Sequence, residues 1–415
     1  MSKNTIHRII LIALSLTCMM VLGFISNFGT FTRISKDKTS DTTPGRIVEA
    51  TSVQTVTEPT KKNDMKVVGY YVSWSAYSKF TPDKLDVSKL THINYAFADI
   101  GTDLKIMLGD PYIDPTNITN LNNLKKTNPD LKTLISVGGW TWSDKFSDVA
   151  LTESSRTKFA NSCVEFILKY GFDGVDLDWE YPVAGGLSTN KYRREDKENF
   201  TLLLKTIREK LNAQGLKDGK SYLLTIAGGA GDMYVNNVEL SIIHQYLDYA
   251  NIMTYDIHGP WDKHTDFNAP LYTNKDVSNN NKSSVDSSVK SWLDAGFSKE
   301  KLVLGIPFYG YKYDLTSKSE NGLYKSFKKS SSISYIDVAT KYLNTTGYIR
   351  GYHSESMVPW ISNGLTFISY EDEESIGHKA EYIKSNELGG AMIWELSQDP
   401  NKVLLDKLYK ELHNK

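Results

Sequence analysis

The sequence predicts an α/β fold, a closed eight-stranded (β/α) TIM barrel with a small α+β insertion between its seventh and eighth strands. Three observations carry that prediction. From Lys66 onward, short β-branched or aromatic runs alternate with longer stretches of helical period, the pattern of repeated strand-helix units around a parallel sheet. Eight such units fall within about 350 residues, the number that closes a barrel, with an open doubly wound sheet as the alternative. The interval between the last two strands is too long for one helix.

The strands begin in VVGYYVSW (67–74), HINYAFA (92–98), KTLISVGG (132–139) and GFDGVDLDWE (171–180). They continue in SYLLTIAGG (221–229), YANIMTYD (249–256), KLVLGIPFYG (301–310) and GGAMIWEL (389–396). Several are near-continuous apolar runs, as strands covered by helices on one face require. Helical periodicity fills the gaps at 153–170, 196–214, 236–247, 284–296, 372–385 and 399–413. The segment 311–370 mixes Tyr-rich, strand-like pieces with one helical pattern from Ile336 to Leu343, and reads as the insertion on the barrel's upper rim. The catalytic unit is therefore expected over 65–415.

The chain ahead of it differs. Lys3, His7 and Arg8 precede an uncharged run from Ile9 to Phe31, so residues 1–31 read as an export signal, either a cleaved signal peptide or an uncleaved membrane anchor. Residues 32–64 are rich in Thr, Lys, Asp and Pro with no sustained period, and read as a disordered linker. The expected location is outside the cell, secreted or held at the surface. Cys18 lies in the export segment, which leaves only Cys163 beyond it and no internal disulfide; Cys163, in an amphipathic stretch, reads as a small buried apolar group. A monomer is the default expectation.

Lys and Arg total 48 against 49 for Asp and Glu, so no net field draws the chain to nucleic acid or an anionic membrane. A neutral partner fits better. The 25 Tyr and 8 Trp suit stacking on sugar rings, although aromatic residues also fill cores.

The chemistry lies in the fourth strand, Asp173 to Pro182. Side chains alternate faces along a strand, so Gly174, Asp176, Asp178 and Glu180 share one face while Val175, Leu177 and Trp179 share the other. The apolar set suits the helices, which sends three carboxyl groups into the barrel. Acids about 6 to 7 Å apart along one strand cannot all ionise in a core, so at least one proton is retained near neutral pH. Glu180 is nearest the strand's C-terminal end, where barrel enzymes carry their sites, and is the expected general acid. A divalent metal held by Asp-x-Asp-x-Glu is the competing account, but the other strand ends offer aromatics and amides in place of further acids or His. No metal and no cofactor is expected.

DGVDLDWEYP resembles the signature strand of the family 18 glycoside hydrolases, the chitinases. SVGG (136–139), MTYD (253–256), HGPW, NAPLY, GIPFYG (305–310) and Trp394 extend the resemblance from Met65 to the C-terminus, and the rim segment is similar to the chitinase insertion domain of bacterial members. The resemblance implies retaining, substrate-assisted hydrolysis of β-1,4 bonds between N-acetylglucosamine units, in which the substrate's own 2-acetamido oxygen attacks and forms an oxazolinium. Chitin or its oligosaccharides would be the partner.

Carried onto this sequence, the resemblance makes Glu180 the proton donor and later the base. Asp178 would accept from the acetamide N–H, Asp176 would share a proton with Asp178, and Tyr255 would donate to the acetamide oxygen. Asp256 would bond sugar hydroxyls, Met253 would pack beneath the N-acetyl methyl, and Trp394 would floor the reacting ring; core packing is the competing account for Met253 and Trp394. Tyr70 and Ser136 would bond Asp176 from inside the barrel. Phe97, Trp140, Tyr309 and Trp261 are candidate cleft aromatics, and Gly139 closes the third-strand motif at the substrate side. Asp173, on the opposite parity, is given a structural hydrogen bond to Ser136 or the adjoining loop. One departure stands out: Tyr309-Gly310-Tyr311 occupies a stretch where many family members carry an Arg soon after the Gly. A hydrolase of another N-acetylglucosamine glycan, peptidoglycan or an N-glycan core, is the alternative function, and a chitin-binding lectin is a second.

Overall fold

The computed structural model describes residues 65–275 and 283–414. The expectations for 1–31 and 32–64 fall outside the described residues.

Eight parallel strands form the barrel: β1 (Lys66–Val72), β2 (His92–Ile100), β4 (Lys132–Gly138), β5 (Gly174–Asp178), β6 (Leu223–Gly229), β7 (Tyr249–Met253), β8 (Leu302–Pro307) and β14 (Gly390–Trp394). Each pairs with its sequence neighbour, β14 pairs with β1, and β1 pairs with β2, so the sheet closes on itself. A short β3 (Ile106–Leu108) adds antiparallel to β2. The β/α alternation read from the sequence is thus realised as a closed barrel, because eight strands with covered outer faces leave no edge to protect.

Helix boundaries follow local chemistry. Thr152 caps the helix Glu153–Tyr170 in a reciprocal box with Ser155, and Gly171 ends it at φ 74°. Asp372 and Ser375 start the helix Glu373–Ser385 the same way. The single helix expected over 236–247 is two short ones, Asp232–Asn237 and Leu240–Ile243. The chain between them is extended at Val238, where the paired Asn236 and Asn237 weaken the helix before it. The helix Asp114–Asn123 lacked a clear apolar period and was not expected; Asp114 in its first turn accepts the hydroxyl of Tyr95.

The main core lies between the outer face of the sheet and the helices. Val175, Leu177 and Trp179 all belong to it, with Trp179 stacked on Phe146 at 5.4 Å and edge-on to Phe200 at 5.4 Å. Their parity therefore turns Asp176, Asp178 and Glu180 inward.

Between β8 and β14 stands a second, five-stranded antiparallel sheet: β9 (Tyr309–Leu315), β10 (Phe327–Ser334), β11 (Ile349–His353), β12 (Val358–Ser362) and β13 (Thr366–Ser369), in the order β10-β9-β13-β12-β11, with one helix, Tyr335–Lys341. It has its own core around Tyr313, Leu315, Val358 and Phe367. Since β9 follows β8 after a single residue, the insertion grows directly from the barrel mouth.

Candidate active site

The acids of β5 descend into the barrel in layers. Asp176 is fully buried and stands in register with Ser136 of β4 and Thr225 of β6. Its Oδ2 accepts from the Tyr70 hydroxyl at 2.7 Å and from Ser136 Oγ at 2.8 Å, and its Oδ1 accepts from Thr225 Oγ1 at 2.6 Å. Burial holds this carboxyl above its ordinary value, and the hydroxyl donors pull against that shift by favouring the anion.

One layer up, Asp178 is flanked in the ladder by Gly138 and Ala227. Gly138 needs its left-handed φ of 100°, and a Cβ there would stand 2.5 Å from the Asp178 carbonyl oxygen. Oδ1 of Asp178 is buried with no hydrogen-bond partner among the described residues. Burial first, and then the charges of Glu180 and Asp176, hold its carboxyl well above the usual carboxylate range.

Glu180 follows at the mouth. Burial and the neighbouring Asp256 raise its carboxyl to about 7, against an opposing hydrogen bond from Tyr181. A carboxyl of this kind keeps its proton near neutrality and can deliver it.

The segment that follows β7, two strands along the barrel from β5, supplies two further groups. The Tyr255 phenol, pushed up by burial and by the acids around it, remains a donor at any physiological pH; its oxygen lies 3.9 Å from Sδ of Met392. Asp256, at φ 54°, opens onto solvent. Its Oδ1 accepts from both Tyr309 (2.5 Å) and Tyr311 (2.7 Å), and its N–H donates to Asn268 Oδ1 at 2.9 Å. Protein crowding on its flanks lifts its carboxyl above the ordinary value, and the two phenols oppose that. Thus Tyr311, at the departure from the family pattern, holds Asp256 through a neutral donor.

Aromatic residues line the floor and rim. The Trp394 ring lies 5.8 Å from Phe97, nearly parallel, and 5.4 Å from Tyr70, edge-on. Met253 packs with them in the barrel interior. Trp140 and Trp261 are exposed, the latter meeting Tyr311 edge-on at 5.9 Å. Phe97 and Tyr309 are largely covered. Gly139, at φ 72°, lies against the Phe97 ring, which a Cβ would approach to 2.7 Å.

Of the residues singled out from the sequence, Trp140 is exposed on the helix after β4 with no ring contact among the described residues, and Asp173 stands apart from the inward acids. That residue sits just ahead of β5, at the other end of the barrel, where its Oδ2 accepts from the Thr133 N–H at 2.8 Å and pairs with Lys125 at 2.6 Å. The expected bond to Ser136 is absent among the described residues. Ser136 faces inward on β4 and bonds Asp176 instead, while Asp173 has the opposite parity.

Several residues were missed. Thr225 and Met392 share the inward parity of their strands with other cleft residues, a signal the sequence did contain. Trp74, exposed beside Phe97 at 6.3 Å, stands two residues after the first strand. Ser143 and Asn190, which touch the backbone of Glu180, lie in connecting segments with no pattern to mark them.

Comparison with known proteins agrees with this geometry. The model of the family described as glycosyl hydrolases family 18 matches residues 66–399. Chitinase A1 of Niallia circulans is 46% identical over 410 residues, covering 84% of this chain and 58% of that protein, so the chain spans less than two thirds of that relative's length. Among solved structures, chitinase ChiA74 from Bacillus thuringiensis matches with a TM-score of 0.81 at 40% identity, covering 84% of this chain and 70% of that one. A family 18 N-acetylglucosaminidase from Paenibacillus barengoltzii matches with a TM-score of 0.77 at 38% identity, covering 84% and 100%.

Proposed function

The chain belongs to the glycosyl hydrolases of family 18, and on that premise we propose that it is a chitinase, cleaving β-1,4 bonds between N-acetylglucosamine units with retention at the anomeric carbon. The observation that carries the proposal is the pairing of a buried Asp178 Oδ1, without a partner among the described residues, with a Glu180 carboxyl raised to about 7. One is an acceptor waiting for a donor, and the other is a proton waiting for a leaving group.

In this reading Glu180 gives its proton to the glycosidic oxygen as the C1–O bond breaks. The 2-acetamido oxygen of the same sugar attacks C1 from the other face and forms the oxazolinium ring. Asp178 accepts from the acetamide N–H, which aims the carbonyl oxygen and balances the positive charge that develops. Tyr255 donates to the acetamide oxygen. Glu180, now a carboxylate, takes a proton from water, whose oxygen attacks C1 as the bond from C1 to the acetamido oxygen breaks, which opens the oxazolinium, regenerates the acetamide and restores the β configuration. Asp176, with its three hydroxyl donors, takes up negative charge when the shared proton lies on Asp178. Trp394 floors the reacting ring, Met253 packs at the N-acetyl methyl, and Asp256 uses its free oxygen on sugar hydroxyls. Phe97, Trp140, Trp261 and Tyr309 line the path on either side, with Gly139 leaving the third strand end open. Ser136 and Tyr70 support Asp176, and Asp173 ties down the strand's start.

The uncharged run from Ile9 to Phe31 supports action outside the cell, with the barrel either released or held at the surface. The experiment is mass-resolved product release from N-acetylglucosamine oligomers and from purified peptidoglycan, with the wild type beside Glu180→Gln. Oligomer cleavage lost in the variant is the expected result. Monosaccharide release alone would make the enzyme an N-acetylglucosaminidase, cleavage of peptidoglycan alone would make it a wall hydrolase, and binding without cleavage would make it a lectin.

A further inference from the structure

Strand β5 ends at Asp178, so the backbone of Glu180 lies beyond the sheet ladder while the residue is buried. Buried peptide groups without a ladder partner need another one. Two side chains fill that need. The Glu180 N–H donates to Ser143 Oγ at 2.9 Å, and the Glu180 carbonyl accepts from Asn190 Nδ2 at 2.9 Å.

Both come from segments outside the strands. Ser143 directly follows the short helix Gly139–Trp142 after β4 and is fully buried. Its hydroxyl hydrogen faces two carbonyls, Gly139 at 2.8 Å and Asp178 at 3.2 Å, so this one oxygen links the exit of β4 to the peptide groups on both sides of Trp179. Asn190 stands in the loop between β5 and the helix Asp196–Asp218. That loop is braced by Arg193, whose guanidinium reaches Ser147 and Asp148, and by Asp196, which accepts from Ser147 and from the Arg193 N–H. Gly186 makes the approach possible, since a Cβ there would fall 2.0 Å from the Glu180 carbonyl oxygen.

We infer that Ser143 and Asn190 are positioning residues for proton transfer, clamping the Glu180 peptide groups from two sides so that its carboxyl points at the scissile oxygen. The inference rests on the reading of Glu180 as the acid. A side chain's direction follows its backbone, and a displacement near 1 Å at a reacting group is enough to cost about 100-fold in rate. No other hydrogen bond to the Glu180 backbone exists among the described residues. With either partner removed, the remaining contact acts as a pivot in place of a clamp.

The test uses the full chain with Ser143→Ala, Asn190→Ala and the double variant. It measures kcat and KM on a chromogenic N-acetylglucosamine oligosaccharide, oligosaccharide affinity by calorimetry, and thermal midpoint. The expected result is a kcat lowered roughly 10- to 100-fold in each single variant, with KM and affinity held within about twofold. The double variant should lose less than the product of the two, because both contacts hold the backbone of one residue. Folded variants with kcat within about threefold of the wild type, whatever their thermal midpoint, would overturn the clamp while leaving the chitinase reading intact. A wild type that cleaves no oligosaccharide would remove both.

Discussion

The Tyr70 hydroxyl of the first barrel strand lies 2.7 Å from Oδ2 of Asp176, the deepest acid of the fourth, across the interior of the barrel. Ser136 and Thr225 complete a ring of hydroxyl donors around that carboxylate, contributed by the neighbouring strands. Replacing Tyr70 by Phe withdraws one donor and leaves burial less opposed, so the Asp176 carboxyl should rise further and give up less charge to the pair above it. We expect kcat to fall roughly tenfold in Tyr70→Phe and in Thr225→Val with oligosaccharide affinity preserved, as read by steady-state kinetics and calorimetry. Unchanged turnover in both would mean that Asp176 does not take part.

Glu180→Gln removes the proposed proton donor without changing the shape of the cleft. Turnover should drop by at least about 100-fold while oligosaccharide still binds. Asp178→Asn should be comparably slow on N-acetylated substrate, because the amide oxygen is a weaker, uncharged acceptor for the acetamide N–H. Single-turnover assays with titration of binding separate these losses from a simple failure to bind.

The alkaline side of the kcat/KM profile should reflect Glu180. Its carboxyl is raised to about 7, so the acid form is lost, and the rate with it, as pH climbs through that value. Part of the rise comes from the charge of Asp256, and Asp256→Asn should therefore bring the alkaline limb to lower pH. A limb that stays in place in this variant would argue that Asp256 does not set the acidity of Glu180.

The same shift has a consequence for stability. A carboxyl that binds its proton more tightly folded than unfolded makes the fold less stable as pH rises from the unfolded value of 4.5 to the folded value of about 7, with no further change above it. Glu180→Gln carries no such penalty. At pH 8 the variant should be more stable than the wild type by about 1 to 3 kcal/mol, and near pH 4 the difference should vanish; denaturant titrations at the two pH values test it.

Lys379 and Glu371 form a buried ion pair at 2.5 Å, and Lys379 also donates to the Ala269 carbonyl at 2.9 Å. The lysine comes from the helix Glu373–Ser385, the carbonyl from the chain after β7. Removing one charge strands the other, so Lys379→Met should cost about 3 to 5 kcal/mol in unfolding free energy, while Lys379→Met with Glu371→Leu recovers much of it. Thermal and denaturant unfolding of the single and double variants measure both.

Parity made the site legible in advance. Once Val175, Leu177 and Trp179 were given to the helices, Asp176, Asp178 and Glu180 had nowhere to face but inward, because successive strand residues alternate sides. The same rule, applied to β6 and β14, would have found Thr225 and Met392. The expected bond from Asp173 to Ser136 went against that rule, and Asp173, which precedes the ladder, pairs with Lys125 from the segment ahead of β4. The helix expected over 236–247 failed for a local reason, an apolar period interrupted by two asparagines.

What the sequence determined by itself was the order of strands and helices and the inward acids of the fourth strand, with Glu180 last among them, since each follows from periodicity or from an uninterrupted motif. What only the tertiary structure decided was which groups meet: the hydroxyl ring around Asp176, the two phenols that share one oxygen of Asp256, and the Ser143 and Asn190 contacts to Glu180. These partners lie from 10 to 106 residues apart along the chain. They are brought within hydrogen-bonding distance by barrel closure and by loop conformations that no local pattern encodes.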